Sequence, residues 1–176
     1  MSTQRLETER VILLPWESED WLAFKPIATD PIVVRYISSG VPWPDGKIVE
    51  FAERQRLHFA NLSYCFWKLF VKGESELAGF CGLQPLDDLP GVEIGWWLST
   101  KHWGKGIATE AARRAMKDGF DRCGLKRIVA IAQRENRAST RIMEKLGMKY
   151  ERDAKHHGFE VVLYAIEAGG KSSRSR

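Results

Sequence analysis

A mixed α/β fold, with one layer of mostly antiparallel sheet and helices on both faces, is what this sequence predicts. Three observations carry it. Short apolar runs with strand character fill the first hundred residues, the clearest being "FWKLFVK" and "ELAGFCGLQ" around the turn "GES". A strongly amphipathic helix then starts at Ile107, with Ala108, Ala111, Ala112, Ala115, Met116 and Phe120 along one stripe. After it, "RIVAIAQ", "NRASTRIMEKLG" and "FEVVLYAIE" read as strand, helix and strand.

Taken in order, "ERVILLPW" is a β-branched run ended by Pro15 and predicts one strand. "SEDWLAFKPIA" predicts a short helix with Ser18 as N-cap. "DPIVVRYI" predicts a second helical piece, with Pro31 near its first position. The Gly- and Pro-rich "SSGVPWPDG" is a loop, and "KIVEFAERQRLHFA" a helix with Ile48, Phe51, Ala52 and Phe59 near one stripe. In "VEIGWWLS", Val92, Ile94, Trp96 and Leu98 share one face, while Glu93, Gly95 and Trp97 share the other. Asn136 stands at the N-cap of the last helix and Gly147 at its C′ position. Residues 1–168 read as one domain and 169–176, "GGKSSRSR", as a flexible basic tail.

Composition narrows the class. The 176 residues are 44% hydrophobic and 28% charged, enough for one buried core and unlike a disordered chain. No apolar run reaches membrane-spanning length and the first residues are polar, so a cytoplasmic protein without a membrane partner is expected. Cys65, Cys81 and Cys123 lack metal or disulfide spacing, and the histidines show no metal spacing, so no metal is expected. The net charge of +4 allows an RNA partner, but no aromatic-basic motif supports direct reading of nucleic acid.

The stretch "KHWGKGIATEA" raises the question of an anion. Gly104 and Gly106 allow close backbone approach, and the helix behind them offers N–H groups without internal partners. Lys101 and Lys105 sit at the positive end of that helix dipole, which makes sense if something negative binds. From spacing alone, a phosphate cradle and a plain tight turn remain equal readings. A P-loop fails for want of its Gly-Lys-Ser/Thr run; a dinucleotide fingerprint fails at Thr109 and at Gln133.

"WWLSTKHWGKGIATEA" followed by "NRASTRIMEKLGM" resembles the cofactor-binding core of the GNAT N-acetyltransferases. "LETERVILLPW" and "HGFEVVLYAI" are similar to the RimJ/RimL branch, which acetylates protein N-termini, so the resemblance spans nearly the whole chain. It implies a GNAT fold with a splayed strand pair, acetyl-CoA as cosubstrate, and an amine acceptor that is a protein N-terminus or a small molecule. A homodimer is compatible with it. The Q/R-x-x-G-x-G/A signature then falls on Lys101, Gly104 and Gly106, with amides from Lys105, Ile107, Ala108 and Thr109 around the pyrophosphate. Lys101 replaces the usual Arg or Gln. Trp97 and Leu98 border the pantetheine arm, with the Leu98 N–H facing the thioester oxygen and Gly95 as a bulge. Glu93 is the implied base, competing with a structural strand carboxylate. Asn136 is cap or pantetheine ligand, with the ligand role favoured. Met143 occupies the family's usual tyrosine position, which leaves Ser139 near the CoA sulfur and a catalytically weak CoA-binding module as an alternative. Trp43 is expected to wall the acceptor pocket.

Overall fold

The computed structural model describes residues 4–169; the expected tail lies, beyond Gly169, outside the described residues. The chain runs β1 (Leu6–Glu7), β2 (Val11–Leu14), α1 (Trp21–Ala28), α2 (Asp45–Leu62), β3 (Phe66–Val71), β4 (Gly79–Pro85) and β5 (Val92–Leu98). A 3-10 turn at Thr100–His102 leads to α3 (Ile107–Asp121), β6 (Arg127–Ala132), α4 (Arg137–Lys145), β7 (Lys149–His156) and β8 (Phe159–Glu167). The strands form one sheet in the order β1-β2-β3-β4-β5-β6-β8-β7. All neighbours are antiparallel except β5 and β6, which α3 connects as a parallel crossover.

Helices cover both faces, as the sequence predicts. The alanine stripe of α3 is buried against one side of the sheet. Its Gly119 lies so close to Leu83 that an added Cβ would stand 2.5 Å from that side chain. On the other side, α1 and α2 pack an aromatic cluster: Phe24, Phe51, Phe66, Phe80 and Trp97 have ring centroids 4.8–6.3 Å apart.

The expected strand "ERVILLPW" forms as β2, and β1 pairs with it across a turn where the Thr8 N–H donates to the Val11 carbonyl. Two local expectations need correction. Ser18 does not cap α1; Asp20 precedes the helix, and its carboxylate instead accepts from the Glu17 N–H at 2.6 Å and pairs with Lys68. "DPIVVRYI" forms a string of turns rather than a helix, since Asp30 Oδ1 takes the Ile32 N–H and the later turn bonds are not consecutive. The strand β7 is absent from the sequence reading because "KYERDAKH" has no apolar alternation; it is an exposed edge formed by pairing with β8.

Gly95 is not a bulge. The β4–β5 ladder runs unbroken from Gly79↔Leu98 to Pro85↔Val92, with Gly95 opposite Gly82. A Cβ at 95 would stand 2.8 Å from the Phe66 ring, so glycine is needed there for ring packing rather than for an irregular ladder.

Candidate active site

The feature that shapes the site is the parting of β5 from β6, which register at a single pair, Glu93↔Val129. Main-chain groups alternate in direction along an antiparallel ladder. Ser99 N–H donates to the Ala78 carbonyl at 2.8 Å, so Ser99, Trp97, Gly95 and Glu93 spend their main-chain groups on β4. Trp96 and Leu98 therefore aim theirs at the gap left by β6. The Leu98 carbonyl is taken by Trp103 Nε1 at 2.9 Å, while its N–H faces the opening. That is the geometry expected of an oxyanion donor.

The cradle lies just beyond. Gly104 and Gly106 both hold left-handed backbone, at φ +71° and +77°. Around Gly104 an added Cβ would meet nothing within 4 Å, so its surface is open. Among the described residues, the N–H groups of residues 104–109 meet no acceptor within the chain; Glu110 is the first, donating to the Gly106 carbonyl at 3.0 Å. Six main-chain donors at the positive end of a fifteen-residue helix fit a pyrophosphate. Lys101 stands apart, its ammonium held by Glu76 at 3.0 Å and Glu74 at 3.4 Å. His102, expected as a loop residue near the phosphate, is buried in the 3-10 turn beside Glu74.

One clamp was missed. Arg10 donates through Nη1 to the Lys105 carbonyl at 2.8 Å and through Nε to Glu110 at 2.7 Å, and Glu110 also accepts from the Thr8 hydroxyl. It ties the hairpin of β1 and β2 to the cradle. Nothing local signals it, because the partners are about a hundred residues apart.

A cleft of about 720 Å³ opens between α2, the β4–β5 loop, the gap and α4. Trp43, Glu93, Trp97, Asn136 and Ser139 all line it, so the structure brings the predicted acceptor and catalytic residues together. Trp43 packs edge-on to Trp97 at 4.7 Å. Asn136 fills the cap role and leaves the other end of its amide unengaged. Its Oδ1 caps α4 by accepting from the Ser139 N–H at 3.3 Å, and its Nδ2 is engaged by no group among the described residues. The Ser139 hydroxyl is likewise not back-bonded, unlike that of Thr140. Met143 is fully buried at the cleft floor, and Tyr164 packs on Tyr150 away from it.

Glu93 is 8% exposed, and loss of hydration pushes its carboxyl up to about 7. Its orientation is set by a relay that the sequence does not announce. Past the end of β2, the Phe66 N–H has no strand partner and donates to Gln55 Oε1 at 2.9 Å. That fixes the Gln55 amide, whose Nε2 donates to Gln84 Oε1 at 2.8 Å. Gln84 Nε2 in turn donates to Glu93 Oε1 at 2.8 Å. A single backbone N–H thus sets the polarity of two glutamines and stabilises the charged form of Glu93, against the desolvation that raises it.

At the far rim, the histidines of the β7–β8 turn meet the β4–β5 loop. His156 Nδ1 lies 2.5 Å from Asp88, the His157 N–H donates to Asp88 at 2.6 Å, and His157 Nε2 is 3.1 Å from Asp87. Sequence spacing gives no hint of this cluster, whose ligand atoms all lie within 4.8 Å of one another. As found, it is a set of close His–Asp contacts that pins the loop beside Glu93.

Residues 10–149 match the acetyltransferase (GNAT) domain family. The chain belongs to the GNAT acetyltransferase family. It is 30% identical over 150 residues to the uncharacterized N-acetyltransferase YnaD of Bacillus subtilis, covering 83% of each chain. Spermidine N(1)-acetyltransferase of Escherichia coli is 28% identical over 151 residues, covering 85% of this chain and 78% of that protein. The crystal structure of a GNAT-family acetyltransferase from Bacillus anthracis superposes with a TM-score of 0.77 at 30% identity, covering 94% of this chain and 99% of the other. Family membership makes this an N-acetyltransferase that draws its acetyl group from acetyl-CoA, and the donor-lined gap and cradle suit that cosubstrate. Among the described residues, no helix is long and apolar enough to cross a membrane.

Proposed function

We propose that the protein acetylates a primary α-amine, that of a protein N-terminus as in the RimJ/RimL branch, within one catalytic domain spanning residues 1–168. The observation that carries this reading is the buried Glu93 with its carboxyl near 7 at the cleft floor. A free α-ammonium has a pKa of about 8 and a lysine-type ammonium about 10.4. Proton transfer to Glu93 is therefore unfavourable by about tenfold for the first and by more than about a thousandfold for the second.

In this mechanism Glu93 takes the proton from the incoming ammonium, directly or through one water, and leaves a neutral amine in the cleft. Acetyl-CoA would supply the acetyl group as a thioester: the new N–C bond replaces its C–S bond, and the second proton lost by the nitrogen leaves with the sulfur as free thiol. The Leu98 N–H stabilises negative charge developing on the carbonyl oxygen. Gly104, Lys105, Gly106, Ile107, Ala108 and Thr109 hold the pyrophosphate by their main-chain N–H groups. Trp97 and Asn136 flank the pantetheine, and the Ser139 hydroxyl donates toward the departing sulfur. Trp43 walls the acceptor side.

The test is to incubate the protein with acetyl-CoA and equimolar peptide with a free N-terminus, peptide with a blocked N-terminus and one lysine, and spermidine. Thiol release and the mass of each product are followed. Acetylation of the free N-terminus in preference to the others is expected. Transfer to lysine or spermidine alone overturns the α-amine reading, and CoA binding without turnover on any amine overturns catalysis.

A further inference from the structure

Charge is sorted across the cleft in a way that proton abstraction alone does not require. On α2, Lys47, Phe51, Arg54 and His58 follow at spacings of four, three and four residues, which puts them on one helical stripe, and all four line the cleft. Elsewhere on α2, Asp45 pairs with Lys25 and Glu53 with Arg56. Among the described residues, Lys47 and Arg54 have no carboxylate partner. Instead the Lys47 ammonium lies 4.5 Å from the Trp43 ring centroid and the Arg54 guanidinium 5.8 Å from that of Phe51. Glu50, three residues after Lys47 and four before Arg54, forms an ion pair with neither. Further along, the buried Nδ1 of His58 has no hydrogen-bond partner.

The acids on the opposite wall, Asp87 and Asp88, bond to His157 and His156 and form no ion pair with these cations. The cleft thus presents a base for an amine on one side and two cations without an ion-pair partner, with an unpartnered ring nitrogen, on the other. Seven residues of helix separate Lys47 from Arg54 by about 10 Å, so two acids up to about three residues apart on an extended peptide can meet both.

We propose that the α2 stripe is an acceptor subsite for a carboxylate, so that the enzyme selects amines that carry an acidic group close to the reacting nitrogen. This rests on the α-amine reading for the identity of that nitrogen. An acidic peptide N-terminus and a free acidic amino acid share this chemistry, and the experiment separates them.

Three peptides of equal length carry aspartate, asparagine or lysine at their second and third positions; free glutamate is the fourth acceptor. For the wild-type protein at low ionic strength, kcat/KM for the aspartate peptide is expected to exceed that of the lysine peptide by about tenfold or more, through KM, and the advantage shrinks as salt rises. In Lys47→Gln/Arg54→Gln the ratio falls to near one, and in Lys47→Glu/Arg54→Glu it inverts. Glutamate turned over as well as the aspartate peptide assigns the subsite to free amino acids. A wild-type ratio near one, or a ratio unmoved by the substitutions, overturns the proposal while leaving acetyl transfer standing. Should no acceptor turn over, the aspartate peptide is titrated into CoA-loaded protein and tryptophan fluorescence followed. Salt-sensitive binding lost in the charge-reversed variant keeps the subsite and removes the transfer reading; no binding removes both.

Discussion

The two ends of the cleft are built from different materials. The proposed cofactor end is main chain: two left-handed glycines, the first amides of α3 and the Leu98 N–H in the gap. The proposed acceptor end is side chain: Glu93, the two glutamines behind it, and Lys47 and Arg54 on α2. Backbone donors serve a ligand that never changes. Side chains from separate segments can be exchanged one at a time, which suits an end that must distinguish acceptors. The contrast also predicts how each end fails: the first through geometry, the second through protonation.

Glu93→Gln gives the largest effect. Removing a general base costs on the order of a hundredfold or more in kcat, while CoA affinity stays, since Gln keeps an acceptor for Gln84. Stability moves the other way. A carboxyl raised from 4.5 to about 7 on folding favours the protonated form, so its contribution is present below pH 4.5 and lost as pH rises through about 7. Above that the ionised Glu93 costs the fold up to about 3 kcal/mol, so Glu93→Gln is expected to be the more stable protein at pH 8 and equal at pH 4. Denaturant titrations at both pH values check this. Equal stability at pH 8 would mean that Glu93 is not held in the desolvated state described.

Next comes the cofactor end. Gly104→Val forces a β-branched residue to φ +71°, at a cost of about 1–2 kcal/mol. The space around it is open, so the penalty acts through the backbone. The amides then turn away from their common centre, and CoA affinity is expected to fall about tenfold with the pH profile of kcat unchanged. Calorimetric titration with CoA decides it; undiminished affinity would reduce the cradle to a plain turn.

That division also explains what could be read from the sequence. The cradle glycines, the α3 stripe, Asn136 and the alternation that sets Glu93 apart from Ile94 are short-range patterns. So is the strand order up to β5, because hairpins join neighbours. The relay is not short-range: Gln55 is one polar residue on an otherwise apolar stripe of α2, and its meaning depends on Phe66 losing its strand partner. Gly95 misled for a related reason, since a glycine in a strand signals a bulge unless an aromatic ring from the next-but-one strand needs the space. The edge strand β7 shows the limit of periodicity, because its pairing comes from β8 and its side chains face water.

Gln84→Leu probes the acceptor end at a smaller amplitude. The hydrogen bond it removes stabilises the charged form of Glu93, so the carboxyl rises further. The acid limb of kcat against pH is expected to move alkaline by about one unit, with activity at pH 7 down several-fold and recovered near pH 8.5. A loss of activity uniform across pH would assign Gln84 to packing. Gln84→Glu is a companion test: a second carboxyl beside Glu93 also pushes it upward, but leaves Gln55 Nε2 an acceptor.

The smallest effect is at the missed clamp. Arg10→Ala removes the donor to the Lys105 carbonyl and leaves Glu110 with Thr8 and the Arg10 main-chain N–H. The pair is largely solvent-facing, so its loss is expected to cost no more than about 1 kcal/mol of stability. Its leverage lies in position. Lys105 sits between the two left-handed glycines, and fixing its carbonyl outward keeps its N–H and those of its neighbours pointed at one centre. A rise of about threefold in KM for acetyl-CoA, with kcat and acceptor KM unmoved, is therefore the expected signature. If acceptor KM rose instead, Arg10 would be coupled to the other end of the cleft, and the division between a main-chain donor end and a side-chain acceptor end would fail at the place where the hairpin of β1 and β2 meets α3.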